Sequence, residues 1–82
     1  MNRASKITVV LRTAARERVA EALRAAVGLT LRGAEVSVVR CFVVDARDAR
    51  TARALATLVA LGHEVDAPAW AIGAADVVEV WT

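Results

Sequence analysis

The sequence has 82 residues, 57% of them hydrophobic, and a formal net charge of +2. This length allows one domain with one core and excludes a large multidomain enzyme, and the apolar content excludes a disordered chain. We therefore expect residues 1–82 to fold as a single domain.

The first half of the chain predicts two strands joined by a helix. Residues 5–11 are rich in β-branched side chains and predict a buried strand. Apolar side chains recur every three or four positions over residues 14–32, which predicts a helix that Thr13 caps and Gly33 ends. Residues 35–44 are a long β-branched run and predict a second strand.

The second half predicts two helices and two strands. Residues 49–61 predict a helix that follows two aspartates able to cap it and that ends before a glycine. Residues 63–65 predict a short strand, and residues 66–71 predict a brief helix opened by Pro68. Residues 76–81 predict the last strand.

This order of elements predicts an α/β fold. Its connections are too long for hairpins, so the strands need right-handed crossovers and a mainly parallel sheet. We expect a three-layer sandwich, in which helices cover both faces of a four-stranded sheet. Ligands of such sheets bind outside the carboxyl ends of the strands. That rule indicates residues 12–13, 44–48, 66–70 and 81–82.

Three segments suggest a relationship to a known family. They are KITVVLRT with the helix end AAVGLTLRGAEVSVV (residues 6–13 and 25–39), LVALGHEV (residues 58–65) and AADVVEVW (residues 74–81). In order and spacing they resemble the DsrE/DsrF/DsrH-like family of small cytoplasmic α/β proteins. The resemblance implies a flavodoxin-like core and assembly into dimers, trimers or hexamers. It also implies a link to sulfur relay, in which some members accept persulfide sulfur on a cysteine.

The only cysteine is Cys41. It excludes an internal disulfide and a zinc site built from several thiolates, and it fits a reducing compartment. The family's sulfur-accepting cysteine lies in a loop past the middle of the chain, whereas Cys41 falls inside the predicted second strand. We expect a small buried core residue there. The alternative is an exposed catalytic thiol that carries sulfur.

Other candidate sites are less specific. Arg12 and Thr13 follow the first strand, where a helix N-terminus and a guanidinium can bind an anion; the alternative is a capping threonine beside a solvated arginine. Strand alternation separates His63 from the carboxylates of Glu64 and Asp66, so we expect no metal site. Glycine-rich phosphate-binding motifs are missing, and we expect no cofactor.

Three residues suggest contacts between subunits. Glu79 is the charged residue of an otherwise apolar last strand, so it needs a strand edge or an arginine from another element or subunit. Trp70 and Trp81 are large rings near element ends. A small domain with this apolar content leaves apolar surface exposed, which favours a partner. We expect a homo-oligomer with Trp70, Trp81 and Glu79 at its contacts.

Charge is divided unevenly along the chain. Residues 1–41 carry eight basic and three acidic side chains, and residues 42–82 carry three and six. A nucleic-acid surface on Arg16, Arg18 and Arg24 is one interpretation, but exposed aromatics and clustered lysines are missing, so we do not expect nucleic acid. No apolar run approaches the ~20 residues that span a bilayer, and we expect a cytoplasmic protein away from membranes.

We expect a non-catalytic or degenerate DsrE-like subunit, with a sulfur-relay protein as a possible partner. The second hypothesis is a sulfurtransferase or persulfide carrier that uses Cys41. The third is an arginine-rich nucleic-acid binder.

Overall fold

A computed structural model of the chain describes residues 5–45 and 47–82. The predicted domain also includes residues 1–4 and 46, which lie outside the described residues. The elements in chain order are β1 (Lys6–Leu11), α1 (Arg16–Leu31), β2 (Glu35–Arg40), α2 (Ala49–Ala60), α3 (Ala71–Ala74) and β3 (Val77–Trp81). This order confirms the α/β class predicted from the sequence.

The strands of the described chain form one parallel sheet in the order β2-β1-β3. The first strand of the sequence is central, and Val9 pairs with Val38 of β2 and with Glu79 of β3. β1 has a strand on each side and cover on each face, so its residues from Thr8 to Leu11 are buried. The parallel arrangement follows from the long connections, as predicted.

α1 and α2 cover one face of the sheet, which we call the helix face. Val9 and Leu11 pack there against Leu23 of α1 and Leu58 of α2, all fully or almost fully buried. Their side chains come from alternate positions of the strands and from one stripe of each helix. Burial of these residues is the main source of stability in the domain.

Residues 67–74 cover the opposite face, which we call the loop face. Val10 and Val39 pack there against Ala67 and Ala71. A buried hydrogen bond adds to this packing, because Thr8 Oγ1 donates to the Ala71 carbonyl oxygen at 3.2 Å. This bond satisfies a hydroxyl that would otherwise be buried without a partner.

The segment that covers the loop face does not extend over β3. Val78 is level with Thr8, and Val80 is level with Val10, so both valines lie on the loop face. Val78 is 40% exposed and Val80 is 53% exposed, whereas Val10 is only 3% exposed. The sheet therefore presents uncovered apolar side chains along β3.

The two long helices match the predicted ranges to within two residues at each end. Gly33 and Gly62 follow them with φ values of 88° and 85°, a region that glycine enters without strain. At each end the glycine N–H and the N–H after it donate back to the last turn, to Thr30 and Leu29 after α1 and to Val59 and Leu58 after α2. These bonds satisfy helix carbonyls that would otherwise be unpaired.

The helix starts differ in their caps. Asp48 caps α2, as predicted, and its carboxylate accepts the N–H groups of Arg50 and Thr51 at 3.0 and 3.3 Å. Thr13, predicted to cap the first helix, does not occupy its cap position. Its Oγ1 accepts the Ala15 N–H at 3.1 Å, and Ala15 itself is the residue before α1. The turn that follows β1 takes two more residues than the sequence pattern indicates.

Two predicted elements of the second half of the chain differ from the structure. Residues 63–65 make one isolated bridge, between Glu64 and Ser37, in place of a strand. The Glu64 carbonyl accepts the Val38 N–H at 2.8 Å, and the chain then turns onto the loop face before Pro68. The brief helix predicted over residues 66–71 is instead α3, which begins at Ala71.

Candidate functional site

The carboxyl ends of the three strands meet at one edge of the sheet, which we call the carboxyl edge. The Arg12 N–H donates to the Trp81 carbonyl at 2.8 Å, and the Cys41 N–H donates to the Leu11 carbonyl at 3.0 Å. Arg12 and Cys41 are therefore the first residues after two neighbouring strands, and they lie side by side. This edge is where the topology of a parallel sheet places binding sites.

Cys41 is exposed, and it lies just beyond β2. The expectation that it is buried inside the second strand is therefore wrong. β2 ends at Arg40 because β1 offers no further residue to pair with after Leu11. Residues 41–44 leave the sheet in a bend in spite of their β-branched composition.

Apolar side chains surround Cys41. Phe42 is 54% exposed and Val43 is 93% exposed, although the sequence predicts both inside a strand. With Arg40, Val44 and Asp66, these residues line an open depression of ≈ 430 Å³. The depression combines a thiol, an ion pair and an apolar rim at the carboxyl edge.

An ion pair closes one side of this depression. The Arg40 Nε donates to the Asp66 Oδ1 at 2.7 Å, and one terminal guanidinium nitrogen donates to the same oxygen. Arg40 is the less exposed partner, with 23% of its side chain accessible against 69% for Asp66. The pair joins the end of β2 to the segment that carries Asp66, and both residues line the depression with Cys41.

A network of opposite charges joins the starts of α1 and α2. The Arg50 guanidinium donates to both Glu17 oxygens at 2.8 and 2.9 Å and to Asp48 at 3.0 Å. These bonds, with backbone N–H donors, lower the pKa of Asp48 to about 2. They also hold the pKa of Glu17 below its usual value and raise that of Arg50. The carboxylates of this network are hydrogen-bonded to arginine, which keeps them ionised.

Arg12 and Thr13 lie at the carboxyl edge, as the topology predicts. Arg12 is exposed, while the Thr13 hydroxyl accepts the Ala15 N–H. Thr13 thus serves the turn before α1, and the guanidinium of Arg12 remains accessible beside the end of β3. The anion site predicted on these two residues stays a prediction.

Trp70 and Trp81 lie on opposite faces of the sheet. Trp70 is 73% exposed and lines a small depression on the loop face with Thr8 and Ser37. Trp81 lies on the helix face, where the Arg18 guanidinium stacks over its ring at 4.8 Å from the centroid. The tryptophans do not converge on one site.

Glu79 shares the helix face with Trp81 and is half-buried. It lines a surface groove between β3 and α1 that also contains Arg24 and Arg32. Among the described residues, no arginine or lysine lies within 4.0 Å of its carboxylate. The sequence prediction that Glu79 occupies a strand edge is consistent with β3 as an outer strand.

The arginines considered for nucleic acid each have a contact within the domain. Arg16 pairs with Asp45 at 3.5 Å, Arg24 pairs with Glu21 at 2.7 Å, and Arg18 donates to the Thr82 carbonyl at 3.2 Å. Their guanidinium groups are spread along α1, and two of the three are neutralised by acidic neighbours. This arrangement gives no concentrated positive surface.

The described residues contain neither a cluster of metal ligands nor a membrane-spanning helix. Within residues 5–45 and 47–82, no group of three His, Cys, Asp or Glu side chains is placed to hold a metal ion. The helices of the same residues lack the length and apolar content that a bilayer crossing requires.

The apolar rim on Phe42 and Val43 was missed by sequence reasoning. One signal was available, because a strand paired with residues 5–11 has only seven partners and cannot continue to residue 44.

Comparison with known proteins found no family model, no curated protein and no solved structure that matches the chain.

Proposed function

We propose that this protein is a non-catalytic, homo-oligomeric subunit of the cytoplasm that docks onto protein partners. The observation that carries the proposal is the exposure of large apolar side chains at two places, Phe42 and Val43 at the carboxyl edge and Trp70 on the loop face. Apolar groups exposed together are typical of protein contacts. Trp70, Trp81 and Glu79 are the residues we assign to contacts between subunits.

The DsrE-like resemblance supplies the link to sulfur relay and the flavodoxin-like layering. The bridge between Ser37 and Glu64 supports that layering, because it places residues 63–65 beside β2 where a fourth strand would run. A sulfur-relay protein is then the partner for the carboxyl edge, and Phe42 and Val43 are its apolar anchor.

Light scattering over a range of protein concentrations tests the oligomer. We expect a mass that is a multiple of one chain, and Trp70→Ala should weaken the assembly while circular dichroism shows an intact fold. Val59→Ala, on an exposed position of α2, is a matched control that should leave the mass unchanged. A mass of one chain at every concentration contradicts the proposal.

A second candidate function is persulfide transfer on Cys41, and the exposure of its thiol favours it. The Cys41 thiolate would attack the terminal sulfur of a donor persulfide, forming one S–S bond as the donor's S–S bond breaks. The donor leaves as a thiolate, and Cys41 carries the transferred sulfur. The apolar rim would shield that sulfur from solvent thiols.

Mass spectrometry after reaction with a small persulfide donor tests the carrier. We expect the folded protein to gain one sulfur atom that dithiothreitol removes, and Cys41→Ser to gain none. Alkylation should also reach Cys41 in the native protein. A thiol that reacts only after unfolding contradicts the carrier function and leaves the docking proposal intact.

A further inference from the structure

The outer edge of β3 is open in the described chain. β3 pairs with β1 on one side, and no described strand lies on the other. The Trp81 carbonyl accepts the Arg12 N–H, so Trp81 directs its backbone groups toward β1. Because these groups alternate along a strand, those of Val78 and Val80 point outward. The edge carries no proline or lysine of the kind that blocks pairing.

The side chains along this edge are also exposed to solvent. Val78 and Val80 project from the loop face beyond the cover that Ala67 and Ala71 give to β1 and β2. A strand added beside β3 would extend the sheet and bury part of both valines. The edge therefore offers hydrogen bonds and apolar surface to the same partner.

The helix face of this edge carries two charged side chains, Glu79 and Arg18. Glu79 is half-buried, and Arg18 stacks over Trp81 and donates to the Thr82 carbonyl. Within the described residues, the Glu79 carboxylate has no opposite charge within 4.0 Å. A carboxylate half-removed from water is stabilised by such a partner.

We propose that a second copy of this chain pairs with β3 as an antiparallel strand, about a two-fold axis at Val80. In this register Val80 opposes its own copy, and Glu79 opposes Trp81 of the second copy. Residues opposite each other in a non-hydrogen-bonded pair have close Cβ atoms. The Glu79 carboxylate therefore reaches Arg18, which lies on that tryptophan ring, and symmetry forms the contact twice.

The charges favour a second copy over an unrelated strand. One chain carries both the carboxylate and the guanidinium of the contact, which is the self-complementary pattern that a two-fold interface requires. An axis at Glu79 would instead oppose two carboxylates, which is unfavourable. The inference rests on the proposed homo-oligomer and names the contact that Trp81 and Glu79 form in it, whereas Trp70 lies outside this contact.

Sedimentation equilibrium of Arg18→Glu, Glu79→Arg and the double variant tests the pairing. We expect the wild type to have the mass of at least two chains. Each single variant places like charges together at two symmetric contacts and should raise the dimer dissociation constant by about tenfold or more. The double variant restores opposite charges and should recover most of the affinity. Arg53→Glu, on an exposed position of α2, is the charge-matched control.

The outcomes separate this inference from the proposal it rests on. A wild-type oligomer that none of these variants weakens overturns pairing through β3 and leaves the homo-oligomer standing. A wild type that has the mass of one chain at every concentration overturns both. Circular dichroism of each variant shows whether a lower oligomer mass comes with an intact fold. Recovery of the oligomer in the double variant is independent evidence that the single variants are folded.

Discussion

Thr8 on the central strand donates its hydroxyl hydrogen to the Ala71 carbonyl, and this bond fastens α3 to the loop face. The two residues are 63 positions apart in the sequence. Ala71 has only a methyl group to bury, so the hydrogen bond carries much of the attachment. Without it, a carbonyl oxygen would face an apolar surface.

Thr8→Val should destabilise the protein by about 1–3 kcal/mol, because it keeps the size of the side chain and leaves the Ala71 carbonyl without its donor. Urea unfolding measures this loss. Thr57→Val is the control, since the Thr57 hydroxyl donates to a carbonyl of its own helix near solvent. Equal stability of Thr8→Val and wild type would show that α3 is held by packing alone.

Leu58→Ala should cost about 2–5 kcal/mol of unfolding free energy, since it opens a cavity at a fully buried position between α2 and the sheet. Val59→Ala, the next residue on the exposed side of α2, should stay within about 0.5 kcal/mol of wild type. Denaturant titration of the pair measures the difference. Similar losses for both would contradict the assignment of the buried stripe of α2.

Gly28→Ala and Gly62→Ala should change stability in opposite directions. Gly28 lies inside α1, and beyond its chain neighbours and the adjacent helix backbone no described atom lies within 4 Å of an added Cβ, so alanine should stabilise the helix by about 0.5–1 kcal/mol. Gly62 has a φ of 85°, and alanine there should cost about 1–2 kcal/mol. Thermal unfolding of the two variants compares them, and a loss in Gly28→Ala would mean that its neighbours cannot accommodate the methyl group.

Acid should weaken the fold through Asp48. Its pKa is about 2 in the folded protein, against 3.8 for an unperturbed aspartate, so its ionic contribution is complete above about pH 5 and declines as the pH falls through 3.8 toward 2. Below that range the carboxyl is protonated in both states and contributes nothing. Asp48→Asn retains a capping side chain but not the charge, so its stability should be lower at neutral pH and should decline less between pH 4 and 2. Urea midpoints across this range test the difference, and parallel curves would contradict it.

The sequence predicted the helices better than the strand ends. Apolar spacing, the Asp48 cap and the two terminal glycines are local signals, and α1 and α2 follow them. The length of a strand depends on how many residues the neighbouring strand offers for pairing. Residues 41–44 have strong β propensity, but β1 gives them nothing to pair with, and so Cys41 is exposed.

The position of the candidate site was predictable from topology, and its composition was not. The order of strands and helices places Arg12 and Cys41 at the carboxyl edge. The apolar rim around the thiol arises because the chain leaves the sheet early. Trp70 lies on the loop face because residues 64–75 cross β2 after a single bridge, which depends on contacts far along the chain.

The strand order also predicts the order in which the strands pair during folding. Lys6 at the start of β1 bonds to Asp76 just before β3, a contact that closes 70 residues of chain. Pairing of such distant segments forms late, after the local contacts of α1 and of β1 with β2 have already restricted the chain. We therefore expect β3 to dock last and to separate first. Exchange of its amide hydrogens with solvent should outpace that of β1, and any surface built on β3 should close only once the rest of the domain is complete.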